Sequence, residues 1–135
     1  MRIAFGADEE TTLADSVLEH LKKSGHEVLL VAYPERWPEV GKDVGETVVA
    51  GRADYGVVCC WTGTGVSMAA NKVSGVRAAL CVDAETARGA RKWNDANILA
   101  LSLRLTSEPV AAEIVDAFLS ESPDPSEADA IAALS

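Results

Sequence analysis

Basic side chains are scarce in this 135-residue sequence. Twelve lysines and arginines stand against 21 aspartates and glutamates, a formal charge of −9, and the pI is near 4.6. That balance disfavours nucleic-acid backbones and anionic membranes as partners, because both need clustered cations. No base at all follows Arg104. Long apolar runs are also missing: none approaches the roughly 20 residues that cross a bilayer. The first residues enter an ordered pattern at once, which leaves no space for a signal peptide. The three cysteines, Cys59, Cys60 and Cys81, have no metal-ligand spacing. Neighbours in a strand point to opposite faces, so Cys59 and Cys60 are poorly placed to share one zinc. An odd count without an export signal reads as reduced thiols in a cytoplasmic protein.

What is present reads as one domain over 1–135. A composition 48% hydrophobic and 24% charged is ordinary for a globular chain, and this length buries an independent core without disulfides or metals. It leaves no room for separate cofactor and substrate domains. Apolar runs predict strands at 2–6, 27–32, 55–60, 76–82 and 97–101. Helices are expected between them: Leu13, Val17 and Leu21 share one face, as do Val40, Val44 and Val48, and later Val110, Ile114 and Phe118. Pro38 and Pro109 suit first helical turns, Gly25 ends the first helix, Asp83 caps a helix through about residue 92, and Thr106 or Ser107 caps the last long one. Alternating strands and helices predict a three-layer, Rossmann-like α/β fold with a mostly parallel five-stranded sheet and helices on both faces. Residues 120–135 form an acidic arm or short helix, in which Ser126 and Asp129 resemble a capping box.

Open α/β sheets bind ligands beyond the carboxyl ends of their strands. Two polar clusters fall there: Asp8 and Glu9 after the first strand, and Cys60-Trp61-Thr62-Gly63-Thr64-Gly65 after the third. A third cluster, residues 92–97, precedes its strand, so another subunit would have to bring it to the same site. The glycine turn is neither a Walker A loop nor a dinucleotide fingerprint. It is either a tight turn needed for folding or a place where helix-end amides hold an anionic oxygen. Cys60 sits where such amides favour a thiolate, as base or nucleophile, or else it simply packs. His20 and His26 lie on the first helix and its exit, away from that edge. Asp8 orients a hydroxyl or caps the first helix. Trp37, Trp61 and Trp93 either stack on sugar C–H faces or close an interface. Arg104 binds an anion or pairs with one of the many acids.

The run CWTGTGVSMAANKVSGVRAALC, followed by RKWNDANILAL and Arg104, resembles the ribose-5-phosphate isomerase B family, which includes the galactose-6-phosphate isomerase subunits. The likeness extends from GADEE to EIVDAFL. It implies homodimers or dimers of dimers with active sites between subunits, and aldose–ketose isomerisation through a cis-enediolate without metal or cofactor. It further implies Cys60 as the base and Thr62 near ring opening. Gly63, Thr64 and Gly65 correspond to the oxyanion turn, Asp8 to a sugar-hydroxyl contact and Asn94 to a contact at the reacting region. Lys72 matches a characteristic residue of the family that is more structural than catalytic.

The chain also departs from the family pattern. Glu9 replaces a histidine after Asp8, Trp93 replaces the histidine before Asn94, Arg36-Trp37-Pro38 replaces Asp-Tyr-Pro, and the basic C-terminal phosphate contacts are absent. Glu9 and the acidic tail repel phosphate, whereas Glu9 can accept hydroxyl hydrogens and Trp61 or Trp93 can stack on a sugar. The expected function is therefore aldose–ketose isomerisation of a non-phosphorylated or otherwise atypical sugar. A silent sugar-binding or regulatory homologue, or one subunit of a heteromeric isomerase, are the other expectations.

Overall fold

The computed structural model describes residues 1–134. Five strands, β1 (Arg2–Ala7), β2 (Glu27–Ala32), β3 (Tyr55–Cys60), β4 (Ala78–Leu80) and β5 (Ile98–Ser102), alternate with helices α1 (Thr12–Lys23), α2 (Trp37–Val49), α3 (Thr64–Asn71), α4 (Ala84–Asn94) and α5 (Glu108–Ser120). A 3-10 turn over Pro125–Glu127 and the short α6 (Ala128–Ala132) end the described chain. The sheet order is β2-β1-β3-β5-β4, and every pairing is parallel. The expected α/β architecture is the one observed. Among the described residues no helix is long and apolar enough to cross a membrane.

Alternation along the strands divides the core in two, because successive side chains face opposite ways. Phe5, Val57, Cys59 and Leu101 pack under Val17, Leu21, Ala87, Ile114 and Phe118 of α1, α4 and α5. Ala4, Val58, Cys60 and Ala100 pack under Val40, Val44, Val66 and Ala70 of α2 and α3. Adjacent Cys59 and Cys60 thus belong to different layers. The order also reverses between β1 and β3, so the crevice at their carboxyl ends is the topological switch point of the sheet.

Four local expectations are corrected. β4 covers only Ala78–Leu80, because Val76 and Arg77 are drawn into a polar connection: Arg77 N–H donates to Asn97 Oδ1 at 2.7 Å. That use of Asn97 leaves β5 to begin at Ile98. α4 runs on to Asn94 and is closed by Asp95 in the left-handed region, at φ 47°. The Ser126–Asp129 capping box does not form; Asp124 Oδ1 instead accepts from Ser126 N–H at 2.9 Å. Asp124 N–H donates to the Lys92 carbonyl at 2.8 Å, which ties the acidic arm to α4. The caps at Asp83 and Ser107 form as expected.

Candidate active site

β1 and β3 end side by side, with Ala7 paired to Cys59. The chain leaving β1 places Asp8, whose N–H donates to the Cys59 carbonyl at 3.2 Å. The chain leaving β3 enters the glycine turn. There it is clamped to β5: Leu103 N–H donates to the Cys60 carbonyl at 2.9 Å, and the Trp61 carbonyl accepts from Arg104 N–H at 3.0 Å and Ser102 Oγ at 3.1 Å. Gly63 makes the turn at φ 78°. A Cβ there would lie 3.0 Å from Leu101 C, so both dihedral and space require glycine. α3 starts at once, and the first amides of a helix have no carbonyl partner within it.

These segments enclose a cavity of about 370 Å³ lined by Asp8, Trp37, Cys60, Trp61, Thr62, Thr64, Gly65 and Met68. Cys60 is buried, whereas Trp61 is well exposed at the rim. The Thr62 and Thr64 hydroxyls are 2.7 Å apart and bonded to each other. Burial raises the Asp8 carboxyl above its ordinary range, and neighbouring Glu9 raises it further. Asp8 Oδ1 is buried with no hydrogen-bond partner. Burial also drives the Cys59 thiol far up and holds Cys81 at about 12, so neither offers a thiolate. No lysine, arginine or histidine lines the cavity. Among the described residues no group of three or more His, Cys, Asp or Glu side chains is placed to hold a metal ion.

Of the residues singled out in the sequence, Asp8, Trp37, Cys60, Trp61, Thr62, Thr64 and Gly65 meet at this cavity, and Gly63 shapes its turn. Asp8 does not cap α1; Thr11 does, its Oγ1 accepting from Ala14 N–H at 3.1 Å. Glu9 is exposed and outside the lining. Arg104 is exposed, and the expected pairing with an acid does not form among the described residues. Lys72 lies in a separate groove with Lys42. Trp93 and Asn94 line another cavity of about 420 Å³, along α4 with Glu85, Thr86 and Gly89. Within one chain they do not join Cys60.

Several polar residues near these motifs build the frame instead. The Asn71 amide bonds both the N–H and the carbonyl of Ala78, at 2.8 and 3.0 Å, and so fastens β4 to α3. Asp95 takes hydrogen bonds from Arg91 and Arg77 at 2.8 and 3.3 Å. Buried Arg91 also donates to the Ala96 carbonyl and the Tyr55 hydroxyl while its guanidinium lies 4.6 Å from the Tyr55 ring centroid. Trp37 and Met68 are the cavity residues not placed at the glycine turn from sequence. Both had a signal: α2 starts where β2 ends, at this same sheet edge, and Met68 follows Gly65 by one helical turn.

The fold and cavity together define a small open α/β protein whose cavity at the sheet's switch point presents a thiol and a carboxylate beside a glycine turn. The family model described as Ribose/Galactose Isomerase matches residues 3–132. The chain belongs to that family. A galactose-6-phosphate isomerase subunit LacB from Clostridium acetobutylicum is 39% identical over 124 residues, covering 88% of this chain and 72% of that protein. The ribose-5-phosphate isomerase B of Escherichia coli is 37% identical over 123 residues, covering 87% and 83%. A solved ribose-5-phosphate isomerase B from Clostridium thermocellum superposes with a TM-score of 0.92 at 38% identity, covering 99% of this chain and 95% of that one.

Proposed function

We propose that this protein interconverts an uncharged aldose and its ketose, with Cys60 as the base. The observation that carries the reading is the company Cys60 keeps. It shares one cavity with Asp8, both threonines and the helix-opening Gly65, with no histidine to serve instead. The Cys60 thiolate removes the proton from C2 of the aldose. The C–H pair becomes the C1–C2 double bond, and the carbonyl pair moves to O1 as a cis-enediolate. Amides of the first α3 turn and the threonine hydroxyls stabilise that charge. The hydroxyl proton on O2 passes to O1, and the thiol returns its proton to C1, leaving the carbonyl at C2. The partnerless Asp8 Oδ1 accepts a sugar hydroxyl, since a buried acceptor gains most from a bond that only the ligand supplies.

The lining that one chain contributes carries a carboxylate and no cation, which on this side of the site supports a sugar without a phosphate. Trp93 and Asn94 act in this reading at the site of a second copy, in a homodimer or a dimer of dimers. The test is solvent-deuterium exchange into free and phosphorylated sugars, with and without the Cys60 thiol.

A further inference from the structure

Trp37 opens α2 with its indole against the glycine turn. A Cβ on Gly65 would lie 3.0 Å from Trp37 Cε3 and 3.1 Å from Cδ2, so the ring rests on bare backbone. One turn along α2, Gly41 brings that helix into contact with α3: a Cβ there would lie 2.6 Å from Ala69 Cβ and 2.7 Å from Val66 O. The seam between the two helices therefore holds the ring in register with the turn. Trp37 also lines the cavity of Cys60 and Asp8, and it remains 47% exposed.

A ring so placed acts on a ligand in two ways. Its face attracts the C–H side of a sugar chain, and its one polar atom, Nε1, donates but cannot accept. It offers a phosphate no charge, and a dianion against an apolar wall loses hydration without compensation. We propose that Trp37 is a specificity-determining residue, its indole docked on Gly65 selecting short uncharged sugars over their phosphate esters. This rests on the isomerase reading above and names the side chain that sets its substrate class.

Calorimetric titration of the whole protein with D-ribulose and with D-ribulose 5-phosphate tests it. Wild type binds the free sugar more tightly. Trp37→Ala weakens ribulose binding about tenfold, whereas for the ester the lost stacking and the relieved desolvation oppose each other and keep the change under about twofold. Trp37→Phe keeps a ring over Gly65 and stays within about threefold of wild type for ribulose, which keeps the test decisive should Trp37→Ala unfold. Tighter wild-type binding of the ester overturns the proposal, as does an equal loss for both ligands or no loss for ribulose. Selective ribulose binding without solvent exchange into the sugar removes the isomerase reading and leaves the role of Trp37 standing. Solvent exchange with a selectivity that Trp37 substitutions do not move removes the role of Trp37 and leaves the isomerase reading standing.

Discussion

Cys59 and Cys60 are chain neighbours with opposite surroundings. Cys59 faces the α1, α4 and α5 layer, where burial suppresses its ionisation. Cys60 faces the α2 and α3 layer and reaches the cavity. The strand periodicity made that division legible in the sequence, and the position of Cys60 at a strand end marked which thiol reaches the cavity. Asp8 was legible as a candidate site residue but not in its environment, because burial and the orphaned oxygen arise from tertiary packing. Its raised carboxyl has a consequence for stability. The folded protein keeps this proton to higher pH than the unfolded chain, so the contribution is fully present below the unfolded value and is lost as pH rises through the folded one. Asp8→Asn should therefore raise the melting temperature at about pH 7, with the advantage fading toward about pH 4. The same variant should bind sugar more weakly. Thermal melts across pH beside sugar titrations check both signs, and a variant destabilised at neutral pH would contradict the account.

At the scale of elements, continuous apolar runs identified β1, β2 and β3, and spaced valines identified the buried stripe of α2. The shortening of β4 and the extension of α4 were not legible. Both depend on particular side-chain bonds that apolar patterning does not reveal: Asn71 to Ala78, Asn97 to Arg77, and Arg91 to Asp95. The α2–α3 seam was hidden for the same reason, since Gly41 looks like any helical glycine until α3 lies against it. Gly41→Ala should cost about 1–3 kcal/mol, because the added methyl meets α3 backbone rather than a movable side-chain end. Denaturant unfolding measures this. The displaced helix would also shift Trp37 from Gly65, so weaker sugar binding should accompany the lost stability. A Gly41→Ala protein as stable as wild type would mean that the helices separate freely.

For the molecule as a whole, scarcity of basic residues has acquired an address. The cavity at the switch point is lined by one carboxylate and no cation, and the acidic arm is fastened to α4 near Trp93. The overall charge was plain from composition, but that one chain lines its switch-point cavity with a carboxylate and no cation required the fold. The separation of Asn94 from Cys60 was anticipated from its place before β5, and two copies are the arrangement that reunites them in the proposed enzyme. Mixing inactive Cys60→Ala and Asn94→Ala proteins under subunit exchange should then restore about one quarter of wild-type activity, since half of the dimers are mixed and each holds one intact site of two. No recovery, with mixed dimers demonstrated, would place both residues in separate functions.

The central claim is that the Cys60 thiolate moves the C2 proton of an uncharged sugar. Deuterium incorporation at that carbon, followed by proton NMR in D₂O for wild type and Cys60→Ser with free D-ribulose and its aldose, tests it most directly. The account predicts exchange with wild type and a loss of at least about 10²-fold with Cys60→Ser, with sugar binding retained. Undiminished exchange in Cys60→Ser, or wild-type exchange confined to phosphorylated sugars, would contradict it.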